Sequence, residues 1–195
     1  MNYEIIRYSD INPKSLRKVF KSLSLEYLED ASIINGKSQV ESFLRELAYP
    51  NIDIWYQKVI AEINNYPKSR EMFICLSNEE NLLSISGLMI LKNTCDEKKI
   101  CTLRVKENYQ RKGIGSELIQ KAFDFLETEK PLITVPEESE KVFSKIFNKY
   151  GFEKKDEIQN LYRKNKVEHI YNGFFRWRFW CQLDPSMLIK YLQVK

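Results

Sequence analysis

The chain has 195 residues, and a composition of 43% hydrophobic and 30% charged residues excludes a disordered chain, while only 6 Gly and 6 Pro exclude a collagen-like one. The net charge is +4, yet residues 163–195 hold seven Lys and Arg against two acidic residues, so the first 162 residues are close to neutral. That excludes a protein that meets a polyanion over its whole surface.

The start, Met-Asn-Tyr-Glu-Ile-Ile-Arg, lacks the basic stretch and apolar run of a secretory leader. The longest apolar stretch, Leu82 to Leu91, is interrupted by Ser84, Ser86 and Gly87 and is far shorter than the roughly 20 residues that cross a bilayer. Cys75, Cys95, Cys101 and Cys181 form no Cys-x-x-Cys pair, and His169 is the only histidine. The expectation is a cytoplasmic protein with reduced thiols, no metal and no membrane partner.

Tyr3 to Tyr8 alternates as a first strand. Asn12-Pro13 predicts a helix start, with Leu16, Val19, Phe20 and Leu23 at helical spacing. Ser38-x-x-Glu41 predicts a capping box ahead of Val40, Phe43, Leu44 and Leu47. Trp55, Val59, Ile60 and Ile63 predict another helix. Met72–Leu76, Leu82–Leu91 and Lys99–Val105 then read as strands joined by short polar connectors, Ser77–Asn81 and Lys92–Lys98, which predicts an antiparallel meander. A long helix follows over Gly113 to Thr128, burying Ile114, Leu118, Ala122 and Phe125 or Leu126. Leu132–Val135 is a short strand. Ser139–Tyr150 is a helix with Val142, Phe143, Ile146 and Phe147 inward, and Gly151-Phe152 ends it and opens a further strand. This order is α+β or mixed α/β, with one strand–helix–strand crossover that makes two neighbouring strands parallel.

The stretch that carries chemistry is Leu103-Arg-Val-Lys-Glu-Asn-Tyr-Gln-Arg-Lys-Gly-Ile-Gly-Ser116, a strand running through two glycines into a helix. N–H groups in the first turn of a helix lack an intrahelical partner, and the helix dipole adds positive charge there, so the pair suits a phosphate or pyrophosphate. A Rossmann loop would need a glycine at Leu118, and a P-loop would need Gly-Lys-Ser/Thr where Gly115 is followed by Ser116-Glu117. Gln110-Arg111-Lys112-Gly113-Ile114-Gly115 instead fits Gln/Arg-x-x-Gly-x-Gly/Ala. It resembles the acyl-CoA pyrophosphate loop of the GNAT superfamily of N-acetyltransferases, and the resemblance covers roughly residues 3–162. Phe143-Ser-Lys-Ile-Phe-Asn-Lys-Tyr-Gly-Phe152 and Gly87 support it.

The resemblance implies a mixed, mostly antiparallel central sheet flanked by helices, with strands four and five splayed around the acyl-pantetheine arm. It implies acetyl-CoA as co-substrate, held by backbone groups of Leu103, Arg104 and Val105, with Gln110, Arg111, Lys112, Gly113, Ile114, Gly115 and Ser116 at the pyrophosphate. The reaction it implies is direct attack of a primary amine, of a small molecule or a peptide, on the thioester through an oxyanion. Many members carry a Tyr general acid four residues before the Gly of Gly-Phe; here that position is Phe147. An Asn is common seven residues before that Tyr, where this chain has Glu140. The strand before the loop offers no acidic or histidine base. Glu137 and Glu138 are then candidate bases through water, and Tyr162 and Ser144 candidate acids, with His169 a bystander. Glu26, Glu29 and Asp30 read first as a solvated acidic helix end, with attraction of a cationic acceptor as the second reading.

Residues 163–195 stand as a basic extension beyond a domain of residues 1–162. Residues 171–180, Tyr-Asn-Gly-Phe-Phe-Arg-Trp-Arg-Phe-Trp, hold six aromatics, and Pro185 to Val194 has helical spacing. Packing on the domain or on a second subunit, as a homodimer, is the leading reading of this segment. Single-stranded nucleic acid and a membrane interface are lesser ones. Two further readings remain beside the enzyme: an acyl-CoA-binding protein with weak or lost catalysis, and a nucleic-acid-associated protein acting through the tail.

Overall fold

The computed structural model describes residues 2–25, 37–47 and 49–174. Glu26, Glu29, Asp30, Cys181 and the tail from residue 175 lie outside them, and so do the readings attached to those positions.

Strand β1 is Tyr3–Arg7, and a 3-10 turn over Tyr8–Asp10 ends it one residue short of the expected Tyr8. Helix α1, Pro13–Ser22, starts as its sequence predicts. Asn12 accepts from the Lys14 and Ser15 amides at 3.0 Å each, and Ser15 Oγ accepts from the Asn12 amide at 3.0 Å. Helix α2 is Lys37–Arg45, so Ser38 already lies inside it and is not its cap. Glu41 reaches forward to Arg45 at 3.8 Å instead of back to the helix start. Helix α3, Ile52–Asn65, begins earlier than its apolar stripe, through Asn51 in the left-handed region.

The meander is longer than its apolar cores: β2 is Arg70–Glu79, β3 Leu82–Asn93 and β4 Lys98–Val105. The connector expected over Ser77–Asn81 shrinks to Glu80 and Asn81. Both have positive φ, which is what a two-residue hairpin turn requires. Helix α4, Ile114–Leu126, crosses over to β5, Leu132–Pro136. Helix α5 is Glu140–Tyr150, closed by Gly151 at φ 61°. Strands β6, Lys154–Gln159, and β7, Val167–Tyr171, complete the sheet.

The sheet order is β1-β2-β3-β4-β5-β7-β6. Among the described residues only β4 and β5 run parallel, as the α4 crossover dictates; every other pair is antiparallel. Strand β7 inserts between β5 and β6, so the domain does not stop at residue 162 as expected. The chain must return through residues 163–171 to fill the gap in the sheet.

Alternation along the strands feeds two cores. Phe73, Met89, Leu91, Ile100 and Ile133 pack under α4 and α5. Met72, Ile74, Leu88 and Ile90 pack under α1–α3. Helix α4 buries Ile114, Leu118, Ala122 and Leu126 as predicted, together with Ile119 and Phe123. Val142 is a correction: it is 57% exposed. The inward stripe of α5 runs Phe143, Ile146, Phe147, Tyr150, and Val142 falls outside that i, i+3, i+4, i+7 set. Among the described residues no helix is long and apolar enough to cross a membrane, and no group of three metal-ligating side chains assembles.

Candidate active site

The site begins where β4 leaves its neighbours. Strand β4 pairs with β5 at two positions only, Lys99 with Leu132 and Ile100 with Ile133. On its other side it stays paired with β3 as far as Val105. A register shift there sets Ile90 opposite Thr102 and Leu91 opposite Ile100, which leaves Cys101 as a bulge residue. From Cys101 to Val105 the edge of β4 that faces β5 therefore has no strand partner among the described residues. Such an edge offers main-chain donors and acceptors to an extended ligand.

Side chains from this stretch are committed elsewhere. Leu103 and Val105 pack partly buried against the core under α4. Arg104 turns to α2, where its guanidinium donates to the Phe43 carbonyl and the Glu46 carboxylate and lies 4.5 Å from the Phe43 ring centroid. What Leu103, Arg104 and Val105 present along the parting is main chain.

Past β4 the loop is braced internally. Gln110 Nε2 donates to the Val105 carbonyl at 3.1 Å. Lys112 Nζ donates to the Asn108 carbonyl at 2.7 Å and lies 5.4 Å from the Tyr109 ring centroid. Arg111 takes a positive φ of 60°, sparsely populated for a residue with a side chain, and is exposed. Gly113, at φ 92°, is the N-cap, and among the described residues no side chain caps the helix. The amides of Ile114, Gly115 and Ser116 are therefore left pointing out of the helix end with the dipole behind them. Gly87 lets this helix start sit close to the sheet. A Cβ there would stand 3.2 Å from Cys75 Cβ and 3.3 Å from Ile114 Cγ2. Gly115 is different: a Cβ there would meet Ile146 of α5 at an ordinary 3.5 Å, so its place in the motif reflects helix packing at least as much as ligand approach. Uncapped amides and an unpaired strand edge are a fitting donor set for the pyrophosphate and the amide-bearing arm of a coenzyme A thioester.

The proposed proton-transfer residues separate. Glu138 is tied to Arg163 Nη1 at 2.5 Å, and that hydrogen bond holds its carboxyl below the usual range. Glu137 lies 3.6 Å from Lys166 Nζ. Ser144 donates to the Lys141 carbonyl of its own helix. Phe147 is core, stacked on Phe152 at 4.8 Å between centroids and 4.5 Å from Tyr171. Tyr150 donates to the Ser116 carbonyl at 3.3 Å, beside the start of α4. His169 is buried in β7 on the α5 side, with Nδ1 3.0 Å from Glu140. Tyr162 is the member nearest the parting: its hydroxyl accepts from Lys99 Nζ at 3.3 Å, at the first of the two rungs shared by β4 and β5, one residue before the last.

Tyr162 brings residues that the sequence reading missed. Its ring meets the Tyr49 ring edge-on at 5.7 Å, and Tyr49 donates to Glu168 at 3.1 Å. Glu168 has no exposure, and burial pushes its carboxyl above the usual range. Tyr49 follows Leu47 in an apolar stretch and Glu168 sits in a five-residue strand. Neither has a motif around it, and only the insertion of β7 brings them together.

Two cavities lie near this region. One of about 590 Å³ opens between α2 and the β2–β3 hairpin, beside Phe43, Glu46, Glu79 and Lys106. The other, about 980 Å³, opens at the N-terminal end of β4 beside Trp55, Arg70, Lys99 and Cys101. Neither of these two includes the turn into α4.

A family profile described as acetyltransferase (GNAT) domain matches residues 43–170, a span that runs through β7. No curated protein matches the chain. Among solved structures, a GNAT-family protein from Desulfovibrio desulfuricans superimposes with a TM-score of 0.53 at 12% identity, over 87% of this chain and 97% of that one. A spermidine/spermine N-acetyltransferase from Vibrio cholerae gives 0.48 at 13%, over 87% and 93%. A Bacillus anthracis protein assigned as a streptothricin acetyltransferase, in complex with acetyl coenzyme A, gives 0.45 at 18%, over 56% and 65%. The chain thus spans just under two thirds of that last protein's length. At such identities the likeness is one of fold, and the Desulfovibrio structure carries it.

Proposed function

The chain belongs to the GNAT acetyltransferase family, and we infer that it transfers an acetyl group from acetyl-CoA to a primary amine by direct attack. The observation that carries this reading is the two-rung pairing of β4 with β5, followed within one loop by an uncapped helix start. The open edge at Leu103, Arg104 and Val105 would pair with the pantetheine arm. The amides from Arg111 to Ser116 would take the pyrophosphate, with the Arg111 side chain adding charge. Gln110 and Lys112 would act by holding the loop rather than by touching phosphate, since both are braced against it. A main-chain N–H at the Cys101 bulge or at Leu103 would meet the carbonyl oxygen as it gains charge. Tyr162, beside the Lys99 ammonium, would return a proton to the departing thiolate. Glu138 fits the base role less well, because its hydrogen bond to Arg163 stabilises its charged form, and Glu137 is occupied by an ion pair with Lys166.

Phe147 favours a second reading, acyl-CoA binding without turnover, since the residue at the family's usual acid position is an apolar core ring. CoA release from acetyl-CoA, followed by thiol detection against a panel of primary amines, separates the two. Amine-dependent release supports the enzyme. Binding of acetyl-CoA with no release above the amine-free rate supports the binder.

A further inference from the structure

Glu168 is a carboxylate with no exposure in the middle of a sheet, where burial carries a cost that packing alone would not require. Its oxygens accept from the Tyr49 hydroxyl at 3.1 and 3.4 Å, and Arg163 Nη2 lies 3.6 Å away. Arg163 is itself held by Glu138 and lies 5.0 Å from the Tyr49 ring centroid. Its Nε and Nη2 are buried without a hydrogen-bond partner, so the guanidinium is placed by charge and stacking around Glu168. Glu138 stands beyond Arg163, and Lys166 lies 4.0 Å from Glu138.

The position of this cluster follows from register. Glu168 of β7 pairs with Pro136 of β5, and Leu132 of β5 pairs with Lys99 of β4. Contacts run from Glu168 to Tyr49, from Tyr49 to Tyr162 and from Tyr162 to Lys99. That chain of contacts therefore crosses β5 beside the stretch where β4 has left it. His169 and Tyr171 alternate to the opposite face, with α5, so Glu168 lies on the face that carries α1–α3. Tyr49 and Tyr162 are both partly exposed on that face.

We propose that Tyr49 and Glu168 are the proton-accepting pair of the acetyl transfer, with Tyr49 in contact with the acceptor nitrogen and Glu168 acting through it. The inference rests on the acetyl-transfer reading. The amine nitrogen forms its bond to the thioester carbon and gives its proton to the Tyr49 oxygen, while the Tyr49 proton passes to Glu168. The carbon–sulfur bond breaks and the thiolate leaves with a proton from Tyr162 or water; Glu168 afterwards returns its proton to solvent, and Tyr162, where it was the donor, regains one from solvent. Burial of Glu168 brings its affinity for a proton nearer to that needed at neutral pH.

The test compares two acceptors at pH 7, n-butylamine and 2,2,2-trifluoroethylamine. The fluorines keep the second nitrogen neutral and make its adduct acidic enough to lose a proton to water. Glu168→Gln and Tyr49→Phe should each lose about 100-fold or more in kcat with butylamine, the range of general base catalysis, and less than about tenfold with trifluoroethylamine. Both should keep the wild-type rise in Tm with acetyl-CoA. Equal losses with both amines, or unchanged kcat with butylamine, overturn the pair while leaving the transfer reading intact. If wild type binds acetyl-CoA but releases CoA with neither amine, the transfer reading fails and the pair with it. Tyr49→Phe removes one hydroxyl and decides the matter alone should Glu168→Gln not fold.

Discussion

The entry into α4 is built from one continuous run, residues 103–116, and presents main chain. The patch across β5 is built from Tyr49, Lys99, Glu138, Tyr162, Arg163 and Glu168, and presents side chains. The first depends on where strands part and helices start, and its side chains brace the loop or enter the core. The second depends on a strand inserted between two others. On the proposed reading, a cofactor common to a family is met by backbone alone, whereas the acceptor side is assembled from distant positions. Substitutions at the first should therefore act through backbone geometry and packing, and those at the second through charge and protons.

The largest effect should come from Phe147, a core ring of α5 that belongs to neither region. Phe147→Ala costs about 3–5 kcal/mol in a urea unfolding experiment, and Phe147→Tyr, by burying a hydroxyl without a partner, costs about 1–3 kcal/mol. A Tyr variant that folds as well as wild type and turns over faster would break the comparison, because the position would then belong to the chemistry. Next is Gly87→Val. Its Cβ contacts with Cys75 and Ile114 predict a loss of about 1–3 kcal/mol, with weaker acetyl-CoA binding as α4 is pushed off the sheet.

Smaller and opposite in sign are two pH effects on the side-chain patch. Arg163 holds the Glu138 carboxyl below the usual range, so the stability it contributes is complete above that range and is lost as pH falls through the lowered value. Burial holds Glu168 above the usual range, so its contribution is complete below that range and is lost as pH rises through the raised value. Unfolding curves between about pH 4 and 7 should then show the deficit of Glu138→Gln against wild type growing with pH, to less than about 1 kcal/mol for a pair whose carboxylate is exposed to solvent. The stability of Glu168→Gln relative to wild type should improve over the same interval. Two slopes of the same sign would contradict the electrostatic account. Smallest of all is Lys112→Ala. With its ammonium on the Asn108 carbonyl and over Tyr109, its removal should shift the Kd for acetyl-CoA by less than about fivefold, equivalent to less than about 1 kcal/mol.

This order of effects mirrors what could be read in the sequence. The meander, the crossover and the turn into α4 were legible because each is local: alternation, a capping asparagine, two glycines between a strand and an amphipathic run. The start of α2 was misplaced because Ser38 and Glu41 match a capping pattern by spacing, while Glu41 turns to Arg45. The domain end was set too early because Val167–Tyr171 is short and carries Glu and His inside the sheet, which apolar patterning does not mark as a strand. Missing that strand also hid Glu168, and with it Tyr49, since a contact between residues 119 apart leaves no periodic trace.

The central claim is that the parted strands and the uncapped helix start form an acetyl-CoA site. Its most direct test is a calorimetric titration of acetyl-CoA into wild type and Gly113→Val, the residue that needs φ 92° to aim the helix amides. Saturable one-to-one binding by wild type, lost in the folded variant, is the predicted result. No heat of binding with wild type at millimolar acetyl-CoA, or equal affinity in the two proteins, would contradict it.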